Sequence, residues 1–398
     1  MSAAALWCPT RIIAGRGITA GVLAELPRGD RSLVVVDERL VGRVDPVGGA
    51  VALEARAELS VLERLVDRID GQRPEVVVAL GGGSILDLVK LAVAVPPERW
   101  RGFSRRLEGG LVLTRRPLRE AAPRVVAVPT TIGTASEVSP VACVTARGGH
   151  RLVVGDDLRP HTAVVDPEHL DSLSARAVGE GALEALLRVA GTAASGSLSP
   201  FAVDRAVDLG RRIVAAGDAA LLDGAGEARG TLALVSAETR YSWSAHPADA
   251  FAARHWYPAN ELAHAASIGK MAATLFVLPR LWRLLLGGDA RLGSAEALRR
   301  FWRGVRPDAA TRPDRDVLTL AARWGIPSPP ALDASTLERA AAATRHVWTG
   351  TGAALAGWDT ELTAAVVGTR QPPSGHGAAP VASTEQTAEE VNTWTRTA

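Results

Sequence analysis

The residues of this chain best suited to chemistry begin with Gly81-Gly82-Gly83-Ser84, which follows an apolar run at 75–80 and leads into a helical pattern. Glycines let a backbone approach a phosphate closely, and a helix N-terminus offers free N–H groups at the positive end of its dipole. Ser84 adds a hydroxyl donor. A triple glycine is also an ordinary turn, and the flanking strand and helix favour the phosphate reading. A second group, Thr130, Thr131, Thr134 and Ser136, packs four hydroxyls and Gly133 into one loop after another apolar run, 124–128. Convergent short donors suit a ribose or a carboxamide, and alone they suit a helix N-cap equally well. The third group is Asp37, at the end of the apolar run 32–37. A carboxylate there accepts hydrogen bonds from the 2′- and 3′-hydroxyls of an adenosine ribose and repels a 2′-phosphate, which favours NAD over NADP. Gly15-Arg16-Gly17, after the first strand, suits close approach to a pyrophosphate, although its spacing is not the usual dinucleotide fingerprint.

The elements that must position these groups alternate. Apolar runs at 32–37, 75–80 and 124–128 are separated by helical spacing at 60–69 and 86–95. Continuous apolar strands with helices between them indicate a parallel sheet covered on both faces. A hairpin-like stretch is expected over 141–165, ending at Asp166-Pro167. Beyond residue 171 strand-like runs almost vanish, and helical patterns dominate at 175–194, 200–216, 226–243, 259–286, 292–305, 315–325 and 335–348. The expectation is therefore an α/β domain over 1–170, an all-α domain over 171–368, and a flexible tail over 369–398, where Pro, Gly, Ser, Thr and Ala prevail.

Bulk properties exclude several classes. A chain of 398 residues is too long for one core. Its net charge of +2 gives no electrostatic reason to expect nucleic acid or an anionic membrane as partner. Two cysteines, Cys8 and Cys143, do not make a disulfide scaffold and suit a reducing compartment. With no signal-like N-terminus and no long apolar run, a cytoplasmic protein is expected. Of 45 Lys and Arg residues only Lys90 and Lys270 are lysine. In so arginine-rich a chain, a retained lysine suggests a position that needs an ammonium, since lysine can lose its proton when desolvated and arginine cannot.

Gly81-Gly82-Gly83-Ser84-Ile85-Leu86-Asp87-Leu88-Val89-Lys90, followed by Pro129-Thr130-Thr131-Ile132-Gly133-Thr134-Ala135-Ser136-Glu137, resembles the iron-containing alcohol dehydrogenase family, whose architecture is shared by maleylacetate reductases and dehydroquinate-synthase-like enzymes. Val165-Asp166-Pro167-Glu168-His169-Leu170 resembles that family's domain junction, and Trp324-Gly325-Ile326-Pro327 is a weaker match, so the likeness spans residues 5–350. It implies a Rossmann-like N-terminal domain, a helical C-terminal domain and NAD(P) in the cleft between them, with Asp37, Gly81, Gly82, Gly83, Ser84, Asp87, Thr130, Thr131, Thr134 and Ser136 as the cofactor-binding set. Ala135 replaces a usual glycine, which is tolerable if its φ is negative. The family also implies a divalent metal held by one Asp and three His. The matching positions here are Gly181, Ala185, Asn260 and, counting back nine residues from Pro279, Lys270. None is a usual ligand, so no metal is expected, although Glu180, Glu184, His255 and His264 remain as donors.

Hydride transfer needs a group that stabilises an alkoxide-like oxygen. Lys270 is the candidate, with His264, the family's non-ligand histidine, passing the proton to solvent. A solvated helix-face lysine and a satisfied core histidine are the plain alternatives. Tyr241, Trp243, His246, Arg254, His255, Trp256 and Tyr257 crowd the stretch where the family has its substrate pocket. They suit a larger substrate, with Arg240 and Arg254 pairing a carboxylate, or a loop packed by aromatic rings. The expected reaction interconverts a secondary alcohol and a ketone. A β-hydroxy acid, such as the C-terminal threonine of a daptide-type peptide, would be oxidised and decarboxylated. A maleylacetate-reductase-like keto-acid reductase and a cofactor-binding scaffold without catalysis remain open, and a dehydroquinate-synthase-like lyase lacks its residues. Expected partners are a small molecule or peptide C-terminus and a second copy of the chain in a homodimer.

Overall fold

The computed structural model describes residues 8–41, 49–114, 117, 119–146, 148–222, 226–242, 251–309, 312–350 and 353–369. The strands are β1 (Arg11–Ala14), β2 (Ser32–Asp37), β3 (Gly49–Leu53), β4 (Val76–Gly81), β5 (Leu111–Leu113), β6 (Arg124–Pro129), β7 (Val141–Ala146), β8 (Gly149–Val154) and β9 (Thr162–Val165). Helices α1 (Thr19–Ala24), α2 (Leu59–Gln72), α3 (Gly83–Ala94) and α4 (Pro97–Arg106) lie between them. The C-terminal part holds α5 (Ala175–Ala194), α6 (Pro200–Leu222), α7 (Gly226–Glu238), α8 (Trp256–Ala266), α9 (Lys270–Leu286), α10 (Ala295–Val305), α11 (Pro313–Arg323), α12 (Ala334–Trp348) and α13 (Thr360–Val367). Among the described residues no helix is long and apolar enough to cross a membrane.

Six parallel strands form one sheet in the order β1-β9-β6-β4-β2-β3. β2 and β4 are buried along their whole length. Leu33, Val35, Val77 and Ala79 pack with Leu62, Leu65 and Ile69 of α2 and with α3. Val34, Val36, Val78 and Leu80 pack on the opposite face with Leu23 of α1. Both faces are covered, which is why these strands read as unbroken apolar runs rather than alternating ones. The order reverses between β2 and β4, because β3 lies on one side of β2 and β4 on the other. In such sheets ligands bind outside the strand C-termini at this reversal, and the residues there are Asp37 and Gly81.

Three sequence expectations change. The hairpin is confined to β7 and β8, which pair antiparallel and join β5 in a small second sheet; β9 belongs to the main sheet, beside β1 and β6. The helical pattern at 259–286 is two helices, broken where Ser267 takes a left-handed φ of 52°. The Gly15–Gly17 turn leaves edge strand β1, with β9 and β6 between it and β4, so it is remote from Gly81. Asp166 holds that turn through the N–H groups of Gly17 and Thr19, at 2.9 and 3.1 Å. The expected tail lies outside the described residues from 370 onward.

The two sheets meet across α3, and Lys90 fastens the contact. Its ammonium, 1% exposed, donates to Asp87 Oδ1 (2.9 Å), Ser136 Oγ (2.8 Å) and the Val141 carbonyl (2.6 Å). Burial pushes this ammonium below the usual lysine range, against the pull of Asp87. Asp87 Oδ2 accepts the Cys143 N–H at 2.8 Å, which completes the link from α3 to β7. Removing one partner of a buried ion pair leaves an uncompensated charge. Lys90→Ala should therefore cost about 3–5 kcal/mol, read as a lower urea midpoint.

Candidate active site

The glycine run stands where expected, at the junction of β4 and α3. Gly82 is the N-cap of α3, and no side chain caps the helix. The leading N–H groups of a helix have no intrahelical acceptor, so the first turn presents donors. The loop after β6 lies directly against it. A Cβ on Gly82 would come within 3.1 Å of Thr131 Cγ2, and one on Gly83 within 2.8 Å of Thr134 Cγ2. Only glycine permits this approach. Gly82, Gly83, Ser84, Thr131 and Thr134 are partly exposed at the strand ends, whereas Gly81 and Thr130 are buried beneath them. Free amides, absent side chains and adjacent hydroxyls fit a dinucleotide pyrophosphate.

Three members of the expected cofactor set are occupied by protein groups. Asp87 and Ser136 bond to Lys90, and the Ser136 hydroxyl also donates to Asp87, so these two side chains position the loop. Asp37 is 2% exposed, and Arg39 covers it: its Nε donates to Oδ1 at 2.9 Å and its Nη2 to Oδ2 at 2.5 Å. Arg39 holds the Asp37 carboxyl below the usual carboxylate range. Ala135 has φ 52° and ψ 30°, not the negative φ that would make an alanine tolerable. Alanine thus occupies a left-handed conformation that disfavours a Cβ, at a cost of roughly 1–2 kcal/mol.

Helix α5 closes the other side. Gly181 packs on the loop so tightly that a Cβ there would lie 2.7 Å from the Ile132 carbonyl oxygen, and one on Gly133, whose φ is 105°, 2.7 Å from Gly181 Cα. Two turns on, Arg188 donates to Thr239 Oγ1 (2.7 Å) and to the carbonyls of Gly133 and Thr134, tying α5 to the loop after β6. Between these residues lies Glu184. Burial would raise its carboxyl, but Lys270 and Arg188 outweigh it and hold the group below its ordinary range. Lys270 Nζ donates to Glu184 Oε1 at 2.7 Å and lies 4.6 Å from the centre of the Trp256 ring, a cation–π contact. Lys270 opens α9 and is 44% exposed, so it is reachable from solvent.

The four positions assigned to metal ligands do not fit a divalent cation. Gly181 and Ala185 bring no donor, Asn260 brings one neutral amide, and Lys270 brings a positive charge. Among the described residues no three His, Cys, Asp or Glu side chains group as ligands.

His264 is exposed and faces His150 edge-on, with ring centres 6.0 Å apart. His150, absent from the sequence expectations, bonds Thr145 Oγ1 at 3.2 Å. Burial first, then the nearby His264 and Lys270, push it down to about 4. The packing of β8 against α8 that brings it here leaves no local sequence signal. His255 is not a free donor for a metal: it is 2% exposed and packed on Gly191, and burial pushes it down to about 3. Burial likewise pushes the Cys143 thiol up to about 12, so it is no nucleophile at neutral pH. The two arginines expected to share a carboxylate separate. Arg254 donates to the Arg291 carbonyl at 2.8 Å. Arg240 lies half-buried within the electrostatic reach of Arg188, Glu184 and Asp87. Its Nε is buried without an acceptor among the described residues, and burial pushes the guanidinium down to about 9. Trp243 and His246 lie outside the described residues.

Comparison with known proteins agrees with the fold. Residues 9–167 match the family model of the iron-containing alcohol dehydrogenases. The fold is theirs too: NADH-dependent butanol dehydrogenase A from Thermotoga maritima superposes with a TM-score of 0.77 over 93% of this chain and 98% of its own, at 15% identity. Sulfoacetaldehyde reductase from Bifidobacterium kashiwanohense, solved in complex with NAD+, gives 0.66 over 87% and 93%, at 18% identity. In sequence, phosphonoacetaldehyde reductase from Streptomyces viridochromogenes is 38% identical over 120 residues, 29% of each chain. The chain thus matches less than a third of the length of the first curated relatives.

Two outcomes follow from the packing. Gly181→Ala should overpack the α5–loop contact and lower stability by about 1–3 kcal/mol, measured by thermal melting. His150 and His255 are neutral when folded, while an unfolded imidazole titrates near 6.5. Their folded values are depressed, so as pH falls below about 6.5 the unfolded chain takes up protons that the folded chain refuses, and stability declines until the folded values are reached. His255→Gln should reduce that decline by up to about 1 kcal/mol per pH unit between pH 6.5 and 4, read from denaturant midpoints against pH.

Proposed function

We propose that the chain is a nicotinamide-dinucleotide-dependent oxidoreductase of the iron-containing alcohol dehydrogenase type, interconverting a secondary alcohol and a ketone without a metal ion. The observation that carries this reading is the Lys270 ammonium, seated on Glu184 beside the cofactor loop at the position that resembles the family's last metal ligand. A bound dinucleotide supplies or accepts the hydride. The chain's residues do the rest. Glu184 takes one of the three Lys270 donors and so orients the other two. An ammonium directed at the substrate oxygen stabilises negative charge as it develops there, the part a Lewis acid plays in a metal-dependent relative. In the reductive direction the oxygen takes a proton from Lys270, and solvent restores it through His264, with His150 beside it. Oxidation runs these transfers in reverse. The half-buried Arg240 guanidinium, within electrostatic reach of Glu184, favours a substrate with a carboxylate near the reacting carbon. A β-hydroxy acid has that form, and its β-keto product loses CO2.

The test combines cofactor titration with turnover on keto acids. Lys270→Ala should lower turnover by roughly 10²–10⁴-fold while NADH affinity stays within about threefold, and a chelator should change neither. Unchanged turnover in the variant would remove Lys270 from the mechanism, and loss of activity on chelation would overturn the metal-free reading. Tight NADH binding with no turnover on any hydroxy or keto acid would favour a cofactor-binding protein without catalysis.

A further inference from the structure

The adenosine end of the cofactor site contains an arrangement that the dinucleotide reading does not require. Asp37 ends β2 at the reversal of strand order, where a free carboxylate would accept the ribose hydroxyls. In this chain the carboxylate is not free. Both its oxygens are held by the Arg39 guanidinium in a bidentate pair, and Oδ1 also accepts the Arg39 N–H at 3.1 Å. The exposures are opposite: Asp37 is 2% exposed and Arg39 is 71% exposed. The surface offered to a ribose is therefore a guanidinium, not a carboxylate. Among the described residues, Glu38, one residue earlier and on the same short turn, is the other charge that acts on Arg39.

We infer that Arg39, laid over Asp37 at the end of β2, makes this end of the site a receptor for a 2′-phosphate, so that the protein prefers NADP(H) to NAD(H). The inference rests on the proposed dinucleotide site. Asp37 neutralises and orients the guanidinium, and the exposed N–H groups that remain form charge-assisted bonds with phosphate oxygens. A ribose without the phosphate gains little, because the acceptor it needs is already engaged. Reversing the expectation drawn from Asp37 thus takes one residue, two positions further along.

The experiment measures Kd for NADPH and NADH on the full chain by nucleotide fluorescence, with adenosine 2′,5′-bisphosphate and 5′-AMP as competitors. Wild type should bind NADPH the more tightly, and the bisphosphate should displace it at lower concentration than AMP. Arg39→Ala should weaken NADPH by roughly tenfold to a hundredfold and leave NADH no weaker, or tighter where the freed Asp37 accepts the ribose hydroxyls, while Arg39→Lys, which keeps a point charge, should retain part of the preference. Arg39→Ala leaves the buried Asp37 carboxylate unpaired, whereas Arg39→Lys keeps a cation beside it, so melting temperatures of both variants check that each is folded. Tight NADH binding with NADPH excluded, or equal weakening of both dinucleotides in Arg39→Ala, would overturn the assignment. Binding of neither dinucleotide by wild type would instead overturn the cofactor site itself, and the assignment with it.

Discussion

The contact between Gly181 and the Ile132-Gly133 backbone governs the rest of the molecule. Backbone meets backbone there, with no side chain between helix α5 and the loop that follows β6. Close packing of this kind transmits position rigidly, because neither partner has rotamers with which to adapt. Everything on α5 is then set relative to that loop: Arg188 reaches the carbonyls of Gly133 and Thr134, and Glu184 lies between the loop and α9. The same contact removes the space that a ligand side chain at 181 would need.

A charge network grows from that contact. Lys90 and Asp87 lie on its α3 side, Arg188 and Glu184 on its α5 side, with Lys270 and Arg240 at the margins. Buried ions are costly unless paired, and here nearly every one is. Lys90 has Asp87 and Ser136, while Arg188 has Glu184, Thr239 and two carbonyls. The exceptions stand out for that reason. Among the described residues Lys270 has a single carboxylate and remains accessible, and Arg240 has a buried Nε without an acceptor, as do Arg151 and Arg159. Of these, Lys270 combines spare donors with exposure, which is what meeting a ligand requires.

Much of the architecture was legible beforehand because it follows from local patterning. Unbroken apolar runs such as 76–80 specify strands buried on both faces, and the spacing in 175–194 specifies α5 to the residue. What local pattern misplaced was pairing. β9 resembles the last arm of a hairpin in sequence, yet it pairs with β1 and β6, because hydrogen-bond partners are a long-range choice. Ala135 could not be foreseen in a left-handed conformation, since alanine disfavours it and only the surrounding loop imposes it.

The sequence by itself determined that this chain is an α/β domain followed by helices, with a glycine-rich turn after an apolar strand and with no aspartate or histidine at four expected metal positions. Those statements depend on residue type and spacing, which the chain carries in one dimension. Only the tertiary structure decided which polar groups remain available. It engaged Asp87 and Ser136 with Lys90, put Arg39 over Asp37, set Glu184 under Lys270, and brought His150 from a hairpin to His264. A side chain's chemistry depends on what else lies within about 4 Å of it, and that neighbourhood is assembled from segments far apart in the chain.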